Sequence, residues 1–361
     1  MNCCEKCFKS KVIISLIKSL NKIGDCDFCS NSDVYIYELD KDDGLDDKFN
    51  EILSVFRIGS DLLEYGYSQY DLFSLKNEFE KRWNIFNGLD ESKIHMLLDN
   101  LLTRKYPDKI EYLNTQVGII EFINPSFLKE NSILKGHRWI DFLRHIKHQN
   151  RFHSNFVNYE VLKYFLTRLT VHIDDDYYFR ARISNDNELD VNEIGAPPPK
   201  FATAGRANSE GISHLYLGSD TSTVISEIRP SIGDTVYIGK FPVRQELKIV
   251  DFRELGNIDV FDLEEVTRFA VNLKILNQMN EAISKPVRSG DSKLDYLPTQ
   301  FIVDYIKSLN EIESAGYDGI IFGSTISEGH NLMLFKPERL TCTKIEKRVI
   351  ESLSYRHVSS T

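Results

Sequence analysis

The sequence lacks the features that mark membrane, secreted and nucleic-acid-binding proteins. No apolar run approaches the roughly 20 residues that a membrane-spanning helix needs, and the first ten residues, MNCCEKCFKS, contain no apolar secretion signal. Aspartate and glutamate (54) outnumber lysine and arginine (44), giving a net charge of −10. Because nucleic-acid affinity depends on neutralising phosphates, this charge argues against such a partner. We expect a cytoplasmic protein.

The remaining composition is typical of a folded chain. Apolar residues make up 42% of the 361 residues, charged residues 27% and aromatic residues 11%, unlike the polar sequences of disordered proteins. This length is enough for two domains of ordinary size, each with its own core.

Cysteine is concentrated at the N-terminus, where five of the six lie within the first 29 residues. Cys4-x-x-Cys7 and Cys26-x-x-Cys29 form two pairs separated by 18 residues, a spacing that brings four thiolates around one tetrahedral Zn²⁺. Cys3 is an alternative to Cys4 as a ligand. Since four sulfur ligands leave no open position for a substrate, we expect a structural zinc ion.

Apolar periodicity predicts helices across most of the first 170 residues. Residues 12–20 have helical spacing, with Gly24 after them as a stop, and residues 33–38 alternate as in a strand. Further helices are predicted over 72–86, 94–102, 139–146 and 157–169. We therefore expect a zinc knuckle over residues 1–40 and a helical domain over 41–170.

One helical stretch, residues 136–153, is dense in basic and aromatic side chains. Arginine and histidine at this spacing would suit an RNA-cleaving pair, with histidine as general acid or base. The alternative is an amphipathic helix in which Trp139, Phe142 and Ile146 pack inward.

After residue 169 the pattern changes to short β-rich segments. Strands are predicted over 177–183, 213–217, 235–242, 247–252, 319–322 and 331–335, and helices over 221–227, 263–282 and 298–308. A loop over residues 184–201 interrupts them and contains three consecutive prolines. The mixture predicts an α+β fold, with the helical part first and a β-rich domain over 171–345, followed by a C-terminal tail over 346–361.

Four side chains in this domain have the chemistry needed to hold a dinucleotide. Arg180 lies in a predicted strand, Arg206 in a glycine-flanked turn, Tyr216 in a strand and Glu227 in a helix. Guanidinium groups match phosphate oxygens two at a time, and a carboxylate stabilises positive charge on a ribose. Taken singly, Glu227 would be an exposed helix residue and Tyr216 a core aromatic.

The order and spacing of these residues resemble the RES family of NAD-degrading toxins, named for its arginine, glutamate and serine, over residues 170–345. The matching segments are Arg180 after an aromatic strand start, Gly205-Arg206, Leu-Tyr216-Leu, Glu227 followed by Ile-Arg-Pro, Tyr296-x-Pro-Thr-Gln300, Gly316–Ser324 and Asn331–Phe335. Many relatives carry tryptophan after the second arginine, where this chain has Ala207. The N-terminal half is similar to the zinc-bearing, HEPN-like extension of longer relatives, without a clear RNA-cleaving motif.

The resemblance implies an ADP-ribosyltransferase-like fold and attack on NAD⁺ at the nicotinamide–ribose bond. It implies Arg180, Glu227 and Ser324 as catalytic residues, with Glu227 beside the developing ribosyl cation. The residues expected to bind the substrate are Arg182, Arg206, Tyr216, Gln300 and Asn331.

Three functions remain open at this point. The first is NAD⁺ degradation by phosphorolysis or hydrolysis, as a toxin or antiviral effector. The second is ADP-ribosyl transfer to a protein or nucleic acid, and the third is non-catalytic RNA or protein binding through the N-terminal half. The resemblance implies an antitoxin or other regulatory protein as partner, and a homo-oligomer is compatible with the sequence.

Overall fold

Residues 1–174, 176–285 and 292–354 are described by a computed structural model of the chain. Their contacts divide the chain into two units: unit 1, Met1–Gly136 with Gly256–Lys274, and unit 2, His137–Leu255 with Ile275–Thr361. Among the described residues, no helix is both long and apolar enough to cross a bilayer.

The N-terminal segment of unit 1 is a small sheet with one helix. Strands β1 (Asn2–Cys4), β2 (Ile23–Gly24) and β3 (Val34–Glu38) pair antiparallel in the order β1-β3-β2, and α1 spans Lys11–Ser19. The predicted helix and strand are confirmed. Gly24 does not end the helix, because α1 stops at Ser19 and Gly24 pairs with β3 instead.

The rest of unit 1 consists of short helices around an aromatic core, with a second three-stranded sheet in the order β4-β6-β5. The elements in chain order are α2 (Leu45–Leu53), β4 (Arg57–Ile58), α3 (Gly59–Glu64), β5 (Phe73–Ser74), α4 (Leu75–Asn77), α5 (Glu91–Thr103), α6 (Glu111–Asn114), β6 (Gln116–Gly118) and α7 (Pro125–Asn131). Phe49 is fully buried at its centre, with the rings of Phe79, Phe86 and Phe261 within 6.0 Å of it.

The helix predicted over residues 72–86 is wrong in its first and last parts. Phe73 and Ser74 pair with β6, so their backbone groups are already used by the sheet. The Ser74 side chain then accepts from the Asn77 backbone N–H and starts α4, which continues as a π-helical turn over Glu78–Arg82. Sheet pairing has overridden an apolar spacing that suits a helix.

Unit 2 contains a large sheet with helices outside it. Its elements are α8 (Trp139–His148), α9 (Tyr159–Arg168), β7 (Thr170–Ile173), β8 (Tyr177–Ile183), β9 (Leu215–Gly218), α10 (Thr221–Ile228), β10 (Thr235–Pro242), β11 (Leu247–Asp251), α11 (Val266–Ser284, divided between the units at Lys274), α12 (Leu297–Glu313), β12 (Gly319–Gly323), β13 (His330–Leu334) and β14 (Lys344–Val349).

Within the described residues the sheet has eight strands in the order β14-β10-β8-β9-β13-β12-β11-β7. All neighbours are antiparallel except β11 and β12, which are parallel. One face carries a core cluster that includes Leu215, Leu217, Leu332 and Leu334. The helical first part and this sheet confirm the predicted α+β fold.

Two edge strands are not evident from the sequence. Strand β14 pairs with β10 over six residues, although its sequence, KIEKRV, shows little apolar alternation. Edge strands have one free side and commonly carry charge, which removes the pattern that identifies a central strand. Strand β7 follows α9 almost directly, so the helical periodicity before it hides its start.

Helix α8 is amphipathic, as the simpler interpretation of residues 136–153 predicted. Phe142 and Ile146 are buried. Arg138 and Arg144 both pair with the Asp141 carboxylate, and the His145 ring stacks on Phe156. Packing and ion pairing therefore account for Arg138, Arg144 and His145, and no RNA-cleaving role is needed to explain them.

Strand β12 begins at a glycine that the neighbouring strand leaves no room to replace. A Cβ at Gly319 would lie 2.1 Å from the Met333 carbonyl oxygen, whereas a Cβ at Gly323, in the same strand, would meet nothing within 4 Å. We expect Gly319→Ala to lower the free energy of unfolding by about 1–3 kcal/mol, measured by urea unfolding, and Gly323→Ala to leave it nearly unchanged. Equal unfolding midpoints for the two variants would contradict the close approach of β12 and β13.

Candidate active site and metal centre

The sheet of unit 2 opens between β8 and β9. Strand β8 pairs with β10 at seven positions, but with β9 the described residues form a single register pair, Phe179 with Gly218. Beyond that pair the Arg180 guanidinium crosses the gap and donates from Nη1 to the Tyr216 carbonyl, 2.8 Å away. The two strands therefore separate where the first predicted arginine lies.

A cavity of 390 Å³ lies at this opening, a size in the ordinary range for small-molecule sites. Five of the predicted site residues line it: Arg180, Arg206, Tyr216, Glu227 and Asn331. Ser324 does not line the cavity but contacts Glu227. Arg182 and Gln300 lie outside the lining, with the contacts described below.

Glu227 lies in the last turn of α10, where its carboxylate is held on one oxygen. Oε1 accepts from Asn331 Nδ2 at 2.8 Å and from Ser324 Oγ at 3.2 Å. Among the described residues no donor reaches Oε2. The helix ends directly after it, because Arg229 has left-handed backbone angles (φ 49°) and Pro230 follows. The side chain is exposed at the cavity, with one oxygen fixed and one available.

Arg180 forms no salt bridge with any carboxylate among the described residues, although Glu227 lines the same cavity. Its Nε is buried and has no hydrogen-bond partner among the described residues. Burial, with a smaller contribution from Arg182, lowers the pKa of Arg180 to about 10, so the guanidinium stays charged near neutral pH. A buried cation with an unused donor favours an anionic ligand.

Arg206 lies in a turn that other side chains hold in place. The Gly205 N–H donates to the Asn208 carbonyl at 2.9 Å, and Gln300 Nε2 donates to the carbonyls of Gly205 and Asn208 at 2.7 and 2.8 Å. Arg206 reaches the Ala282 carbonyl at 3.4 Å. Gln300 thus supports the turn from outside the cavity.

Tyr216 is fixed by its hydroxyl, which donates to Asn208 Oδ1 at 2.7 Å. Asn208 Nδ2 in turn donates to the carbonyls of Thr203, Ser209 and Ile212. Burial raises the pKa of Tyr216 well above its usual range, so the phenol remains protonated. The tyrosine ring is held as a rigid wall of the cavity.

Arg182 shares a strand face with Arg180, as the alternation of β8 predicts, but its guanidinium turns away. Its Nη2 donates to the Gly195 carbonyl at 2.8 Å. Arg182 therefore fastens the loop over residues 184–201 to the sheet.

Two cavity residues were not singled out by sequence. Asn208 organises the turn around Arg206, and His214 lines the cavity two residues before Tyr216. His214 is 2% exposed, and neither ring nitrogen has a hydrogen bond of normal geometry among the described residues. Burial first, and then Lys307, lowers its pKa to about 4, with the Ala207 backbone opposing in part. Strand alternation from Tyr216 was the available signal for His214.

One protein-family match covers the part of the chain that carries the cavity. Residues 179–355 match the RES domain. This part of the chain is a RES domain. A search of solved structures matches the chain to one in the crystal structure of the M. tuberculosis MbcT–MbcA toxin–antitoxin complex, with a TM-score of 0.31, 11% identity, and coverage of 52% of this chain and 92% of that chain. No curated protein matches the chain significantly.

The predicted cysteines form a cluster outside the RES domain. The sulfurs of Cys4, Cys7, Cys26 and Cys29 all lie within 4.8 Å of one another, with contacts of 3.8, 3.4 and 3.5 Å around the set. Sulfurs at tetrahedral positions about 2.3 Å from a zinc ion would be about 3.8 Å apart. The cluster could therefore bind a metal ion, and it includes Cys4, not Cys3.

Cys3 and Cys4 offer a matched pair for testing this centre, because both are fully buried neighbours on β1. We expect the purified protein to contain about one equivalent of metal, Cys3→Ala to retain it and Cys4→Ala to lose most of it, since three sulfurs leave the tetrahedral set incomplete. Elemental analysis after gel filtration measures this. Retention of metal by both variants would exclude the four-cysteine centre.

The buried His214 predicts a pH dependence of stability in the RES domain. Its folded pKa of about 4 lies below the unfolded value of about 6.5. Between these values the unfolded chain binds a proton that the folded chain does not, so the free energy of unfolding falls with decreasing pH, by about 1.4 kcal/mol per unit. Urea unfolding of the wild type and His214→Gln should give a stability difference that changes by this slope below about pH 6.5. A pH-independent difference would contradict it.

Proposed function

We propose that the RES domain cleaves the bond between nicotinamide and ribose in NAD⁺. The observation that supports this best is the Glu227 carboxylate, which Asn331 and Ser324 hold by one oxygen while the other oxygen is available at the cavity. The two arginines of the same cavity, Arg180 and Arg206, supply the charge that a dinucleotide pyrophosphate requires.

The bond to nicotinamide needs little acid catalysis. The pyridinium nitrogen of NAD⁺ is positively charged, so the bonding electrons pass to it and nicotinamide leaves as a neutral base. Positive charge then develops on the ribose, and a carboxylate fixed beside it lowers the barrier. Glu227 has this role, with Oε2 facing the ribose and Oε1 restrained by its two donors.

The attacking group completes the reaction. An oxygen of water or of inorganic phosphate forms the new bond to the ribose carbon, giving ADP-ribose or ADP-ribose 1-phosphate, and its proton passes to the carboxylate or to solvent. Arg180, with its unused Nε, is suited to hold either the pyrophosphate or an attacking phosphate. Water and phosphate are both compatible with the same arrangement of Arg180, Arg206 and Glu227.

Loss of NAD⁺ gives the protein its proposed role as a toxin or antiviral effector. The RES match supports this role, and a regulatory protein that covers the cavity would restrain the activity. The metal of the four-cysteine cluster is proposed to be zinc, which suits four thiolates in tetrahedral geometry and, with no open position, stabilises the N-terminal fold.

Replacing one carboxylate oxygen tests the mechanism. We expect Glu227→Gln to reduce the rate of nicotinamide release from NAD⁺ at least about 100-fold, because the neutral amide no longer stabilises the ribosyl cation. Mass spectrometry of the products, with and without phosphate, measures the rate and identifies the nucleophile. Adenine-labelled NAD⁺ would remain attached to protein or nucleic acid if the reaction were ADP-ribosyl transfer.

Glu338→Gln is a suitable control, since Glu338 is an acidic residue of the same domain that does not line the cavity. Its activity should match that of the wild type. No nicotinamide release by the wild-type protein, or equal rates for Glu227→Gln and wild type, would refute the proposed reaction.

A further inference from the structure

We propose that His214 recognises the adenine base of the dinucleotide and so determines specificity for a substrate that carries adenine. The inference rests on the proposed function, because it takes NAD⁺ as the substrate. It assigns the adenine to the end of the cavity that lies away from the bond to nicotinamide. Its basis is the position of His214 along β9, its buried ring nitrogens and the side chains beside it.

The position follows from the register of β9. Gly218 lies opposite Asn331, one of the two residues that hold Glu227, and Tyr216 lies opposite Met333. His214 directly precedes the strand. A strand advances about 3.3 Å per residue and alternates its faces, so His214 lies about 13 Å from Gly218, on the face that Tyr216 uses.

The two arginines lie between these ends. Arg180 donates to the Tyr216 carbonyl, at the middle of the β9 segment. Arg206 belongs to the turn whose Asn208 accepts from the Tyr216 hydroxyl. A dinucleotide has its pyrophosphate between two nucleosides, so a pyrophosphate at the arginines and a ribose at Glu227 leave the second base for the His214 end.

This end of the cavity has walls suited to a flat base. Pro197, Ala202 and Ile212 are apolar lining residues. Ser213 donates to the Pro197 carbonyl at 2.5 Å, which ties this part of the loop to the residue beside His214. An aromatic base can pack between such side chains while its edge meets the histidine.

The chemistry of His214 complements that edge. A neutral imidazole has one donor and one acceptor nitrogen, and adenine presents an amino donor beside ring-nitrogen acceptors. Both nitrogens of His214 are buried without a hydrogen bond of normal geometry among the described residues, and the Ala207 backbone interacts with the ring. The two nitrogens point in diverging directions, so one of them meets the edge of the base, and leaving it unpaired costs free energy until a ligand binds. Hydrogen bonding to adenine removes that cost only when the substrate is bound.

Comparing two substrates tests the assignment. Nicotinamide mononucleotide has the reacting bond of NAD⁺ but no adenine. We expect His214→Phe, which keeps a ring and removes both nitrogens, to lower kcat/KM for NAD⁺ about tenfold, the effect of one lost hydrogen bond, chiefly through KM. Turnover of nicotinamide mononucleotide should not change. His214→Gln, which keeps a donor and an acceptor, should recover most of the loss.

Binding measurements cover the case in which nicotinamide mononucleotide is a poor substrate. Calorimetry should show AMP bound about tenfold more weakly to His214→Phe than to the wild type, with nicotinamide mononucleotide bound equally. His172→Phe is the control, since His172 is an exposed residue of β7 outside the cavity lining. Thermal unfolding establishes that each variant is folded.

The outcomes separate the two proposals. Equal losses of affinity for AMP and nicotinamide mononucleotide, or no loss for either, would overturn the role of His214. Nicotinamide release by the wild type would still support the proposed function. If the wild type releases no nicotinamide, the reaction fails, and the AMP measurement alone decides whether His214 binds adenine. If His214→Phe does not fold, His214→Ala, which also lacks both ring nitrogens, replaces it in the AMP measurement, and the same loss of about tenfold is expected; unchanged AMP affinity would overturn the role of His214.

Discussion

The site depends on the separation of β8 and β9 after their single described register pair. A fully paired sheet would place backbone hydrogen bonds where the cavity lies, and Arg180 would have no gap to cross. Because its guanidinium donates to the Tyr216 carbonyl, the arginine replaces part of the missing strand pairing, while its buried Nε has no hydrogen-bond partner among the described residues. The same side chain therefore bridges the two strands and supplies a positive charge beside the cavity.

Around this opening, rigidity comes from side chains that touch backbone carbonyls. Asn208 and Gln300 together satisfy carbonyls of the turn that carries Arg206, and Asn331 with Ser324 fixes one oxygen of Glu227. Buried polar groups that are fully satisfied specify a single arrangement. Arg180 Nε and the ring nitrogens of His214, on two residues that line the cavity, are buried without a hydrogen bond of normal geometry among the described residues.

The sequence predicts the central strands well because their apolar alternation is strong. Strands β8 and β10 have the bounds that the pattern indicates, and the four thiolates are evident from two matched cysteine pairs. Strand β14 and the turn around β5 could not be predicted, since their pairing depends on distant partners. Local sequence also does not reveal that Arg182 turns to Gly195 or that Gln300 supports a turn, because both contacts join segments far apart in the chain.

The two donors that hold the Glu227 carboxylate lie far along the sequence from it. Asn331 follows Glu227 by 104 residues and Ser324 by 97 residues. On the ribosome, a nascent chain therefore presents the glutamate long before the strand that orients it has emerged. Contacts of such long sequence separation form late in folding. Glu227 therefore cannot be held by both donors until the chain through Asn331 has been made and β13 has paired with β9.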